Sequence, residues 1–126
     1  MATFNAKLGM GQQTLNDTSL EKLKVKATDG ELLCEFQAPR LVQGASIQEK
    51  ADRYRMIVGD RVCARINRIY RAEDGNIYGD VEAYGPMSKT LKQLVERGTT
   101  DKIIFGMRTV MKAGIADVIT YDLVTF

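Results

Sequence analysis

Asp80 and Glu82 stand two residues apart in the run Ile77-Tyr78-Gly79-Asp80-Val81-Glu82-Ala83-Tyr84. Alternation there predicts a strand with Tyr78, Asp80, Glu82 and Tyr84 on one face and Ile77, Gly79, Val81 and Ala83 on the other. Two carboxylates so placed could act as general acid and base. Aromatic side chains on a sheet can also stack on nucleobases. Acidic neighbours oppose a phosphate backbone, however, so the functional reading is a protein-binding face. The plain alternative is a solvated sheet face with no partner.

A second group is basic. Arg53, Arg55, Arg61, Arg65, Arg68 and Arg71 crowd one region and could form a patch for RNA, DNA or an acidic protein. Glu49, Asp52, Asp60, Glu73 and Asp74 are interleaved with them, and mixed charges at such spacing usually pair locally on a wet surface. A nucleic-acid-binding module is therefore the alternative reading rather than the leading one. Lys22, Lys24 and Lys26 alternate with Leu23, Val25 and Ala27, which reads as the solvent edge of a strand.

The missing residue types exclude more than the present ones suggest. The 126 residues contain no histidine, which rules out a Ser-His-Asp triad, a Cys-His pair and a histidine-containing zinc site within this sequence. Two cysteines, Cys34 and Cys63, are too few for an all-cysteine zinc site, and both lie in apolar runs that predict buried thiols. Thr99 and Thr100 lack a base. Gly9-Met10-Gly11 lacks the lysine and the strand-helix context of a phosphate loop. No cofactor and no metal are expected. The balance of 18 basic and 16 acidic residues gives a net charge of +2, too even to argue for an anionic partner. No apolar run approaches a membrane span and no signal pattern is present, so a cytoplasmic protein is expected.

The elements that would position these residues are read from periodicity. One domain, 1–126, is expected, with 1–19 as a flexible or partner-docking arm. Leu20 to Phe36 reads as a hairpin turning at Asp29-Gly30. Ser46 and Glu49 fit a capping box ahead of a helix from Ile47 to Val58, with Gly59 as its stop. In the next strand, Val62 to Tyr70, Arg68 and Tyr70 are expected on the face of Val62, Ala64 and Ile66, with Ile69 opposite. A turn at Glu73-Asp74-Gly75-Asn76 leads into the strand Ile77 to Tyr84. Gly85-Pro86 breaks that strand, Ser88 caps a second helix, and Gly98 ends it. Strands from Ile103 and from Val118 close the chain. The predicted fold is α+β: a curled or barrel-like, mainly antiparallel sheet of about six strands with two helices.

The stretch from Ile77 to Val124 resembles the core of the head-maturation (prohead) proteases of tailed bacteriophages. The residues that carry the likeness are Ile77-Tyr78-Gly79, Gly85-Pro86, then Leu91, Leu94 and Gly98 along the helix, then Phe105-Gly106-Met107-Arg108, and the closing strand Val118 to Val124. In that family the strand with the arginine and glycine bears the nucleophilic serine, which falls here at Gly106 or Met107. The catalytic histidines have no counterpart. The resemblance therefore implies a catalytically dead relative with no catalytic residue to carry over. The leading expectation is a non-enzymatic phage-type protein that binds another protein or a second copy of itself, in head assembly or as an inhibitor of a host or phage enzyme.

Overall fold

The computed structural model describes residues 3–8, 16–37, 44, 46–99, 103–112 and 115–124. The glycines at 9 and 11, Pro39, Thr100 and the turn at 113–114 lie outside them. In chain order the elements are β1 (Thr3–Leu8), α1 (Asp17–Thr28), β2 (Leu33–Glu35), α2 (Ile47–Arg55), β3 (Val62–Arg71), β4 (Ile77–Ala83), α3 (Ser88–Glu96), β5 (Ile104–Lys112) and β6 (Ile115–Val124). A 3-10 turn at Gly59–Arg61 leads into β3. The α+β class and the antiparallel pairing hold. The strands divide into a four-stranded sheet, order β1-β4-β3-β2, and the hairpin β5-β6, so neither sheet closes on itself. One parallel bridge, Phe36 to Leu123, joins the two.

Residues 17–28 form a helix, not the first strand of a hairpin, which makes three helices where two were expected. A strand would have buried Leu23, Val25 and Ala27. The helix buries Leu20, Leu23 and Ala27 instead and leaves Val25 61% exposed. Apolar burial is similar either way, so the ends decide. Asn16 accepts a hydrogen bond from the Ser19 N–H at 2.8 Å, a cap that stabilises a helix by about 1 kcal/mol. At the other end Gly30 (φ +74°) donates to Ala27 O at 3.1 Å and Glu31 to Lys26 O at 2.8 Å. This is the Schellman pattern, so Asp29-Gly30 ends a helix and turns no hairpin. The lysines line the outer face of α1 rather than a strand edge. Of the expected return strand, Leu33–Glu35 pairs with β3 and Phe36 bridges to Leu123.

Other boundaries move for local reasons. The capping box forms as expected, Glu49 N–H to Ser46 Oγ at 3.1 Å and Ser46 N–H to Glu49 Oε1 at 3.3 Å. Yet α2 stops at Arg55, ahead of the expected Val58, with Met56 extended and arginine side chains donating to the Tyr54 and Met56 carbonyls at its end. Met87, not Ser88, is the N-cap of α3. Gly98 (φ +71°) ends α3 in a second Schellman cap, as the sequence predicts. Near Asn67 the β3–β4 register slips by one residue. The bulge reverses the side-chain phase of β3, so Ile69 is buried beside Ile66 while Arg68 and Tyr70 turn outward, opposite to the simple alternation.

Residues 3–8, part of the expected arm, pair along their whole length with β4. In the main core α1 packs on β3 and β6, and α3 packs on β3 and β4. Leu23, Leu32, Ile66, Val81, Leu91, Phe105 and Leu123 are fully enclosed there. Gly79 permits the strand packing: a Cβ would meet Leu8 Cδ1 at 2.8 Å and Arg68 O at 3.0 Å. Gly85 (φ +89°) lets the chain fold back over Val62, whose carbonyl would be 2.7 Å from a Cβ.

Candidate functional site

The β3–β4 register places Arg65 opposite Glu82, Arg68 opposite Asp80 and Tyr70 opposite Tyr78. On the other side of β4, β1 brings Asn5 opposite Asp80. Arg65 donates to Glu82 at 2.8 Å, joined by Asn67 at 3.3 Å. These bonds, Arg65 first, hold the Glu82 carboxyl below the usual carboxylate range. Asp80 accepts from Asn5 at 2.9 Å and pairs with Arg68 at 3.2 Å. The guanidinium of Arg65 lies 4.4 Å from the centre of the Tyr84 ring, and that of Arg68 lies 4.4 Å from the centre of Tyr70. Tyrosine, carboxylate and guanidinium side chains are thus laced together on this side of the sheet. Both carboxylates are committed to cations. Neither is poised as an acid-base pair.

The six arginines do not gather into one patch. Arg65 and Arg68 serve this face. Arg55 pairs with Asp117 at 2.6 Å and Arg71 with Asp17 at 3.6 Å. Arg53 and Arg61 turn toward Glu35, at 2.9 and 3.3 Å. Each guanidinium has a carboxylate within reach, with Arg53 and Arg61 sharing Glu35 with Arg108.

Glu35 belongs to a buried network that periodicity did not reveal. The Phe36–Leu123 bridge brings β2 beside β6, and Arg108 of β5 lies diagonally across the hairpin from Asp122. Arg108 donates to both Asp122 oxygens, from Nε at 2.8 Å and from Nη2 at 2.6 Å. Its Nη2 also lies 3.1 Å from Glu35 Oε2. Its Nη1 donates to Met56 O at 3.0 Å and Tyr54 O at 3.3 Å, capping the C-terminal end of α2 where the helix dipole favours a cation. Glu35 further accepts the Val58 N–H at 3.0 Å. Glu35, Arg108 and Asp122 are each at most 2% exposed. Burial opposes the charge on Glu35, but bonds from Arg53, the Val58 N–H and Arg108 outweigh it and hold that carboxyl low. For Asp122 burial wins over Arg108 and raises the carboxyl. The signal that could have found the network is an arginine and an aspartate set in the middle of otherwise apolar strands. The three charged groups are buried, and they link β2, the hairpin and α2 as a clamp.

Several other nucleophile types are occupied, whereas the buried Thr109 Oγ1 on β5 has no hydrogen-bond partner among the described residues. Burial pushes the Cys34 thiol well above its ordinary range and that of Cys63 up to about 12, so both stay protonated. The Ser46 hydroxyl caps α2, and that of Thr120 donates to Leu33 O at 2.8 Å. Thr99 Oγ1 donates to Leu94 O at the end of α3. Among the described residues no group of three or more Cys, Asp or Glu side chains is placed to hold a metal, and no helix is long and apolar enough to cross a membrane.

The model of the Peptidase S80 family matches residues 9–126. The chain belongs to the Peptidase S80 family. It is thus a phage prohead protease-like protein, and the likeness extends well upstream of Ile77. No curated protein and no solved structure matches the chain. In this Peptidase S80 chain the strand expected to bear a nucleophile is β5. Gly106 lies there opposite Asp122, and a Cβ at Gly106 would sit 3.0 Å from Val124 Cγ2. Met107 packs against the main core, and Arg108 is locked in the clamp.

Proposed function

We propose that this Peptidase S80 protein acts without cleaving peptides, by binding another protein in phage head assembly. The observation that supports this most directly is at Gly106. That position has no side chain, its space is taken by Val124, and its neighbours Met107 and Arg108 are engaged in packing and ion pairing. The lack of any histidine in the 126 residues removes the usual base. The fold remains while a side chain at position 106 and any histidine are missing.

The surface offered to a partner is the outer face of β4 with its neighbours, centred on Tyr78, Asp80, Glu82 and Tyr84. Aromatic and arginine side chains held in fixed geometry are the groups that dominate protein interfaces. The pairing of all six arginines with carboxylates favours this reading over nucleic acid. A host or phage enzyme held inhibited is the other kind of protein partner. Co-purification from phage-infected cells, with the mass of the complex measured in solution, tests the proposal. A stoichiometric protein partner or a homo-oligomer is expected. Recovery only as a free monomer would contradict it.

A further inference from the structure

We infer that the groove between the β3–β4 turn and Asn5 of β1 is a subsite for an arginine side chain of a protein partner. The inference rests on the protein-binding reading above and names what one part of that face recognises. The groove is open, measures about 380 Å³, and is lined by Asn5, Tyr70, Ala72, Glu73, Asp74 and Tyr78.

Its chemistry is one-sided. Tyr70 and Tyr78 stack with ring centres 6.2 Å apart and planes 21° from parallel, which presents aromatic surface. Ring faces attract cations, and guanidinium does so best because it is planar and weakly hydrated. The molecule uses this contact twice nearby, Arg68 on Tyr70 and Arg65 on Tyr84. The rim carries two carboxylates, and the lining carries no cation. Asp74 is fixed by the Asn76 N–H at 2.9 Å and the Tyr78 hydroxyl at 2.8 Å. These bonds, the backbone one first, keep its carboxyl below the usual range, so it is charged at neutral pH. Glu73 is exposed and has no partner among the described residues. Of the neighbouring cations, Arg68 lies on the Tyr70 ring and pairs with Asp80, and Arg71 pairs with Asp17 and donates to Gly75 O of the turn. Lys7, opposite Tyr78 on β1, lies outside the lining, though its charge also helps to lower the Asp74 carboxyl.

The site is also preorganised. Gly75 (φ +84°) and the bonds Ala72 N–H to Asn76 O and Gly75 N–H to Ala72 O, both 2.9 Å, fix the turn that bears the carboxylates. Asn5 donates to both Tyr70 Oη and Asp80 at 2.9 Å, tying β1 across the floor. A guanidinium entering over the rings can donate to Glu73 and Asp74 at once, which an ammonium does less well.

The test is a titration of the full chain with N-acetyl-arginine amide at constant ionic strength, read by NMR of the five tyrosine rings. Saturable shifts confined to Tyr70 and Tyr78 are expected, with buried Tyr121 silent. Affinity should fall at least about threefold in Glu73→Gln with Asp74→Asn, and N-acetyl-lysine amide should bind at least about twofold more weakly. Glu73→Gln alone sits on an exposed turn and keeps the test valid if the double variant folds poorly. Linear shifts, or shifts equal in the variants, would overturn the inference. A captured protein partner whose binding ignores both variants overturns this subsite and leaves the protein-binding reading intact. Peptide cleavage by the pure chain would overturn the non-catalytic reading without affecting the titration.

Discussion

Two clusters of the same residue types lie on either side of this molecule's surface. On the outer face of β4, Arg65 meets Glu82 and Arg68 meets Asp80 at distances of 2.8 and 3.2 Å. Between β2, β5, β6 and α2, Arg108 meets Asp122 and Glu35 at 2.6 and 3.1 Å. The distances barely differ, but the surroundings do. Water reaches the Arg68–Asp80 pair, so breaking it leaves two solvated ions. The Arg108 cluster is sealed, so removing one partner leaves an uncompensated buried charge. The first cluster can therefore be spared for recognition, and the second is committed to holding the fold.

Arg108→Ala should be the most damaging change, costing about 3–5 kcal/mol in urea unfolding, because Asp122 and Glu35 lose their shared cation and α2 its cap. A cost near that of a surface pair would erase the contrast.

Glu35→Gln should come next and also change the pH profile. The folded state holds the Glu35 carboxyl below its ordinary value, about 4.3 in an unfolded chain. Between those values the unfolded chain binds more protons, so stability rises with pH. The contribution is complete at neutral pH and is lost as pH falls through the folded value. Asp122 runs the other way: burial raises it, so its ionisation costs stability as pH rises past the ordinary value. In the variant, stability at pH 7 should drop by about 1–3 kcal/mol. Its acid limb should flatten relative to the parent, which thermal unfolding between pH 3 and pH 7 can follow (roughly the window set by the carboxylates). An acid limb as steep as the parent's would place the linkage elsewhere.

Arg53→Ala should act locally. No residue of α2 is buried, so its attachment depends on polar contacts. Amide exchange in 47–55 should accelerate at least about tenfold, while β3 and β4 stay protected. At the small end, Arg68→Ala should change stability by at most about 1 kcal/mol, with addition of salt masking the difference.

The sequence carried the strand-helix-strand frame from Ile77 onward because its punctuation is local. Gly75, Gly85 and Gly98 each adopt positive φ where the residue pattern changes period. The capping box at Ser46 was legible for the same reason. Leu20 to Ala27 misled, since its apolar residues satisfy periods of two and of 3.6 alike. Only the caps at Asn16 and Gly30 separate them, and Asp29-Gly30 imitates a hairpin turn. The outward turn of Arg68 and Tyr70 was hidden by the bulge near Asn67, a one-residue register slip that alternation cannot express. Tyr78, Asp80 and Glu82 alternate within β4 and Tyr84 follows it, so their placement on one side of the sheet was legible from a single stretch. The Glu35–Arg108–Asp122 clamp joins the β5-β6 hairpin to β2, which is distant in sequence and meets β6 at the Phe36–Leu123 bridge.

The most direct measurement concerns cleavage. The purified chain is incubated with a diverse peptide pool and with phage head proteins, and new termini are sought by mass spectrometry. With Gly106 and Met107 on β5 and no histidine in the sequence, no new termini should appear. A cleavage site that vanishes on a single substitution in this chain would contradict the account.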